Sequence, residues 1–134
     1  MGLERTIATA ALADATLRQY LASRIYKEGE VPQEVATPYC IYSRVSGGPL
    51  HSSQRAEATA NARLQFEVIG FDFDEAQAAA KQLADFAHRY NWLAATAISS
   101  VRMTNVYDDF LPPDDGSEVG QYRFILDFSV WYTE

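Results

Sequence analysis

The side chains that could do chemistry in this chain are few and do not converge. His51 stands in "SGGPLHSS" and His88 near the end of an alanine-rich segment. They fall in separate parts of the pattern, and each reads as solvated surface rather than as a base or a metal ligand. The acids Asp108, Asp109, Asp114, Asp115 and Glu118 could hold calcium in principle. Their spacing does not follow an EF-hand loop, however, and "PPDDG" is turn chemistry first. The glycines of "SGGPLHSS" do not lead into a helix, so they lack the N-terminus that would cradle a phosphate. Ser46, Ser52 and Ser53 have no base and orienting partner beside them. Cys40 lies within an extended apolar run, where it reads as a small buried hydrophobe. No catalytic constellation emerges. The expectation is a protein that is not an enzyme and has no cofactor or metal.

The elements around these residues are clearer. Leu3 to Leu21 is helical in composition, with Asp14 interrupting the apolar stripe and reading as the cap of a second short helix. "SRIYKEG" is a brief extended piece, followed by a loop with two prolines. "YCIYSRVS", Tyr39 to Ser46, is β-branched and aromatic and reads as a strand. "ARLQFEVIGF" is the next strand, with Leu64, Phe66 and Val68 on one face. Between them lies a polar stretch of fifteen residues, Gly47 to Asn61, expected as an unusually long hairpin tip.

In "DFDEAQAAAKQLADFAHRYN" Asp72 and Glu75 have capping-box spacing, and Phe71 and Ala76 are placed for a hydrophobic staple. Ala76, Ala79, Ala80, Leu83, Phe86, Ala87 and Tyr90 then form one stripe whose small residues suit close approach to a sheet. Thr96 to Tyr107 is a further strand, Asp108 to Gly120 an acidic turn-rich loop, and Gln121 to the end a last strand. The order helix, hairpin, helix, hairpin implies one α+β domain over 1–134. Its sheet should be mainly antiparallel, of four or five strands, with helices packed on one face.

The last strand poses a question. Tyr122, Phe124, Leu126, Phe128, Val130 and Tyr132 alternate as a buried face. The other face holds Gln121, Arg123, Asp127 and Ser129, but also Ile125 and Trp131, with Ile69 and either Phe71 or Tyr42 in the same kind of position. A solvated sheet face is normally polar throughout. Either the chain covers these residues itself, or a second copy does. Tryptophan is enriched at the buried centres of interfaces.

Bulk properties narrow the class. The net charge is -7, with 11 basic residues against 18 acids, so the clustered cations of a non-specific DNA binder are missing. One cysteine excludes an internal disulfide and suits a reducing compartment. No segment approaches the ~18 apolar residues of a membrane helix, and the first residues contain acids unlike a signal peptide. The expectation is a soluble protein with no membrane partner.

The landmarks "ALADATLRQYLASRIY", "PYCIYSRVSGGP", "ARLQFEVIGFDFDEAQAAAKQL" and "GQYRFILDFSVWYTE" resemble, in order and spacing over nearly the whole chain, the tail completion or tail terminator proteins. Those proteins join tail to head in long-tailed phages, prophages and gene transfer agents. The resemblance implies a hexameric ring that caps the tail tube, ends its polymerisation and presents a surface to the head connector or head-completion protein. It also implies DNA passing through the lumen without specific binding, and a place at the head–tail junction of a virion assembled in the host cytoplasm. With that implication, Trp131, Ile125 and Phe71 become candidate subunit contacts. Gly47, Gly48, Pro49, Leu50, His51 and Arg55 become candidate tip contacts to a neighbour, the tube or the connector. A head-completion adaptor of the same particle is the alternative, and a small-molecule-binding α+β domain a more distant one.

Overall fold

The computed structural model describes residues 3–48, 59–112 and 120–133. The chain opens with two short helices, α1 (Leu3–Ala13) and α2 (Ala15–Leu21). Asp14 separates them as expected. Its carboxylate accepts the Leu17 N–H at 2.9 Å, and the free start of α2 is satisfied without burying an uncompensated acid. The same carboxylate takes both nitrogens of the Arg89 guanidinium at 2.9 and 2.7 Å, tying the helix junction to the end of a later helix.

β1 (Ile25–Lys27) pairs parallel with β2 (Tyr39–Gly48), which pairs antiparallel with β3 (Thr59–Gly70). After α3 (Phe73–Arg89) and the single turn α4 (Trp92–Ala95), β4 (Ile98–Leu111) and β5 (Gln121–Thr133) complete the sheet. The strand order is β1-β2-β3-β5-β4, so β5 lies between β3 and β4 and joins the two hairpins. The α+β architecture with a mainly antiparallel sheet holds, with β1–β2 as a parallel pair at one side.

The alternating aromatic pattern of β5 is satisfied from the helix side. Phe124, Leu126, Phe128 and Val130 are buried there, opposite Val68, Phe66, Leu64 and Ala62 of β3. Phe66 stacks on Tyr42 and meets Phe128 edge to face, with ring centroids 5.8 and 5.7 Å apart. Helix α3 lies over these rows on the stripe its alanines mark: Ala76, Ala79, Ala80, Leu83, Phe86 and Ala87 are all buried. Its first turn fits because residue 70 has no side chain: a Cβ there would stand 3.3 Å from that of Ala76. Asp72 caps the helix through the Glu75 N–H at 3.0 Å. The expected staple is built differently. Phe71 is half exposed, and it is Phe73 that packs on Tyr122 and Phe124.

Two boundaries move, and one residue changes face. The β2–β3 ladder runs on through Gly47↔Ala62 and Gly48↔Asn61, so the hairpin tip is not the whole of Gly47 to Asn61. β4 continues to Leu111, which puts Asp108 and Asp109 in a strand rather than in the acidic loop. Both stretches read as loops because small or acidic residues have low strand propensity, yet pairing with an apolar neighbouring strand overrides it. Tyr42 faces the helices in the row of Phe66 and Leu126, not the opposite side, because its register partner is a core residue.

Candidate interaction surface

The face of the sheet away from the helices is built from the odd positions of β5 and their cross-strand partners. Glu67, Ile125 and Tyr107 form one row, Ile69, Arg123 and Asp109 the next, and Gln65, Asp127 and Asn105 a third. Arg123 organises this face. Its guanidinium donates two bonds to Asp109, at 3.1 Å from Nε and 2.6 Å from Nη2, and lies 3.5 Å from Glu67. That bidentate bond to Arg123 holds the Asp109 carboxyl below its ordinary range. Partial burial pushes Glu67 the other way, although Arg123 opposes the shift. Asp127 is buried, and its carboxylate accepts from the Gln65 amide at 3.3 Å.

This arrangement answers the question of the two outlying apolar residues, and the answers differ. Ile125 is only 3% exposed and Ile69 only 5%, so the single chain already covers both. Ile125 therefore has almost no free surface to offer a partner, which is the first of the two alternatives the pattern left open and goes against the subunit contact that the resemblance implied. Trp131 is 40% exposed near the end of β5, where no ion pair among the described residues involves its cross-strand neighbours. It shares a cross-strand row with Asn61 and Gly48 on one side and Ser100 on the other. The fold thus brings Gly48 and Trp131 to the same end of the sheet, with Gly47 one row in. Phe71 follows β3 at the opposite end, just beyond Gly70, which lies nine strand steps or about 30 Å from Asn61 at ~3.4 Å per residue. Pro49, Leu50, His51 and Arg55 lie outside the described residues, as do Asp114, Asp115 and Glu118.

Two of the chemically capable residues are explained by local structure. Cys40 is fully buried, and burial pushes its thiol far above the range in which it would ionise. His88 accepts the Met103 N–H at Nε2, 3.3 Å away, and so links α3 to β4. Beside it runs a groove of about 810 Å³ between α3 and β4, lined by Asp74, Lys81, Asp85, Val106 and Asp108 among others. The sequence concealed this feature, because it forms only where β4 outruns the helix that covers the rest of the sheet. The signal that could have found it is the apolar Val106 and Phe110 inside an acidic context.

No curated relative matches the chain. Among solved structures it is similar to a chain of the "Virion of native gene transfer agent (GTA) particle", with a TM-score of 0.69 and 18% identity, over 98% of this chain and 95% of that one. That likeness carries the fold over nearly the whole of both chains. The model of the family described as tail completion protein gp17 matches residues 5–133, from the first turn of α1 to the last residue of β5. With its whole helix–hairpin–helix–hairpin order inside that match, the chain belongs to the tail completion protein gp17 family.

Proposed function

We propose that this protein is a structural component of the virion tail that closes the tail tube. Six copies form a ring on the last ring of tube subunits, end polymerisation, and present the other side of the ring to the head connector at the head–tail junction. The whole chain, 1–134, acts as one terminator domain and performs no reaction, and assembly takes place in the host cytoplasm. The observation that carries this reading is the family match over 5–133. The gene transfer agent virion chain of like fold supports a place within a particle.

The surface features fit such a role. Trp131 offers an aromatic anchor at one end of the sheet, and Phe71 offers another at the opposite end. A ring between tube and connector needs contacts at both ends, and exposed aromatic residues at the two ends of the sheet support that reading. Pro49, Leu50, His51 and Arg55, beyond Gly47 and Gly48, belong to the contact made by the β2–β3 end. The net charge of -7 discourages passing DNA from adhering to the lumen.

The test is to mix purified protein with tail tubes and count copies by mass and by electron microscopy. Six copies at a tube end are expected. Uniform decoration along the tube, or binding to connectors with none to tubes, overturns the termination role; the latter result would favour a head-completion adaptor.

A further inference from the structure

Among the described residues both lateral edges of the sheet are open. β4 is an edge strand of 14 residues, paired there only with β5. At the other side β1 covers only Cys40 to Tyr42 of β2, which leaves the stretch from Ser43 to Gly48 without a neighbour among the described residues. Exposed strand edges invite pairing with another chain, and proteins that do not use them blunt them with charge, proline or brevity. Both edges are bulged, β2 at Val45 and β4 between Ile98 and Ser100 and between Met103 and Asn105, and β4 also carries Asp108 and Asp109, yet each keeps exposed apolar side chains: Val106 and Phe110 on β4, and Val45 on β2.

The directions of the strands match. β2 and β5 each run antiparallel to β3, and β4 runs antiparallel to β5, so β4 and β2 point in opposite senses within one chain. Copies set side by side in the same orientation therefore bring β4 of one antiparallel to β2 of the next. The β4 edge is acidic on its helix side, where the groove holds Asp74, Asp85 and Asp108 against Lys81. At the β2 edge the charges balance: Glu4 pairs with Arg44 at 2.6 Å, and Lys27 and Arg5 stand beside Glu28 and Glu30.

We propose that the free edge of β4, with the groove between it and α3, receives the open half of β2 from the next copy of the chain as an antiparallel strand. Two different edges meet, so the contact is head-to-tail and propagates around a ring rather than closing as a two-fold dimer. This inference rests on the ring proposed above and assigns its lateral contact.

Single-cysteine variants test it. Val45→Cys and Val106→Cys place accessible thiols on the two edges, while native Cys40 is buried and does not compete. Each variant is assembled on tail tubes, alone and mixed in equal amounts, and treated with a short bis-maleimide. Circular dichroism checks that each variant is folded. The expected result is a cross-linked dimer in the mixture and none with either variant alone. The double variant should give a ladder up to the ring. Rings visible at tube ends with no cross-link in the mixture overturn the edge pairing and leave the terminator role standing. Cross-linking of one variant to itself also overturns it, since that requires a two-fold contact. Wild-type protein that forms no ring on tubes removes both the terminator role and this contact.

Discussion

At the residue scale, the alternation of β5 mixes two kinds of outlier that look alike as letters. Ile125 sits in the middle of the sheet, between Glu67 and Tyr107, where neighbouring strands on both sides remove it from water. Trp131 stands three alternations further on, near the end of the ladder, where the larger ring is left 40% exposed. Trp131→Ala should therefore change the melting temperature of the isolated chain little, while weakening association on tube ends. Truncation of a buried interface anchor costs ~2 kcal/mol or more. Thermal melting of the free chain and the concentration dependence of tube capping measure the two effects separately. A lowered melting temperature with unchanged capping would show Trp131 to be part of the monomer's own packing.

At the scale of elements, the helical layer is held by a charged joint as well as by its apolar stripe. Asp14 caps α2 and binds Arg89 at the end of α3, so one carboxylate fixes the relation of the two helices. The Arg89 guanidinium, and secondarily the Leu17 N–H, hold Asp14 below its ordinary value against the opposing effect of burial. A carboxyl whose folded value is depressed binds fewer protons in the folded state. Its contribution to stability is thus complete above the unfolded value of about 3.9 and is lost as pH falls through the folded value. Asp14→Asn keeps an amide oxygen for the cap but removes the charge. The variant should melt lower than wild type at neutral pH, and the gap should shrink as pH falls below about 4. Melting curves across that range check it; a gap independent of pH would mean that the ion pair contributes nothing and that only cap geometry matters. Much of this layer was legible in the sequence. The caps at Asp14 and Asp72 and the stripe of α3 are set by contacts three or four residues apart, which a sequence displays directly.

At the scale of the molecule, the β2–β3 hairpin is anchored further out than its composition suggests. Thr59 and Ala60 pair with Thr133 and Tyr132 of β5, and Ala60 is fully buried. Residues 49–58 can therefore be shortened to Asn-Gly without touching the ladder, and the variant should stay folded. If this end of the sheet reaches a neighbouring subunit, the tube or the connector, the same variant should fail to join tails to heads. Complementation of a particle lacking its own copy, with headless tails scored by microscopy, measures this. Full recovery of joined particles would show that the shortened stretch takes no part in assembly.

The class of the fold, the two capped helical segments and the buried face of β5 could be read from the sequence. All of these depend on residue type and short-range period. Tertiary structure alone decided which strands are neighbours. The insertion of β5 between β3 and β4 sets the register that joins Arg123 to Asp109 and Glu67, buries Ile125, and leaves β4 as an open edge. Those outcomes depend on pairs of residues distant in the chain. A period of two says which side of a strand a residue faces, but it does not say which strand lies beside it, nor whether any does.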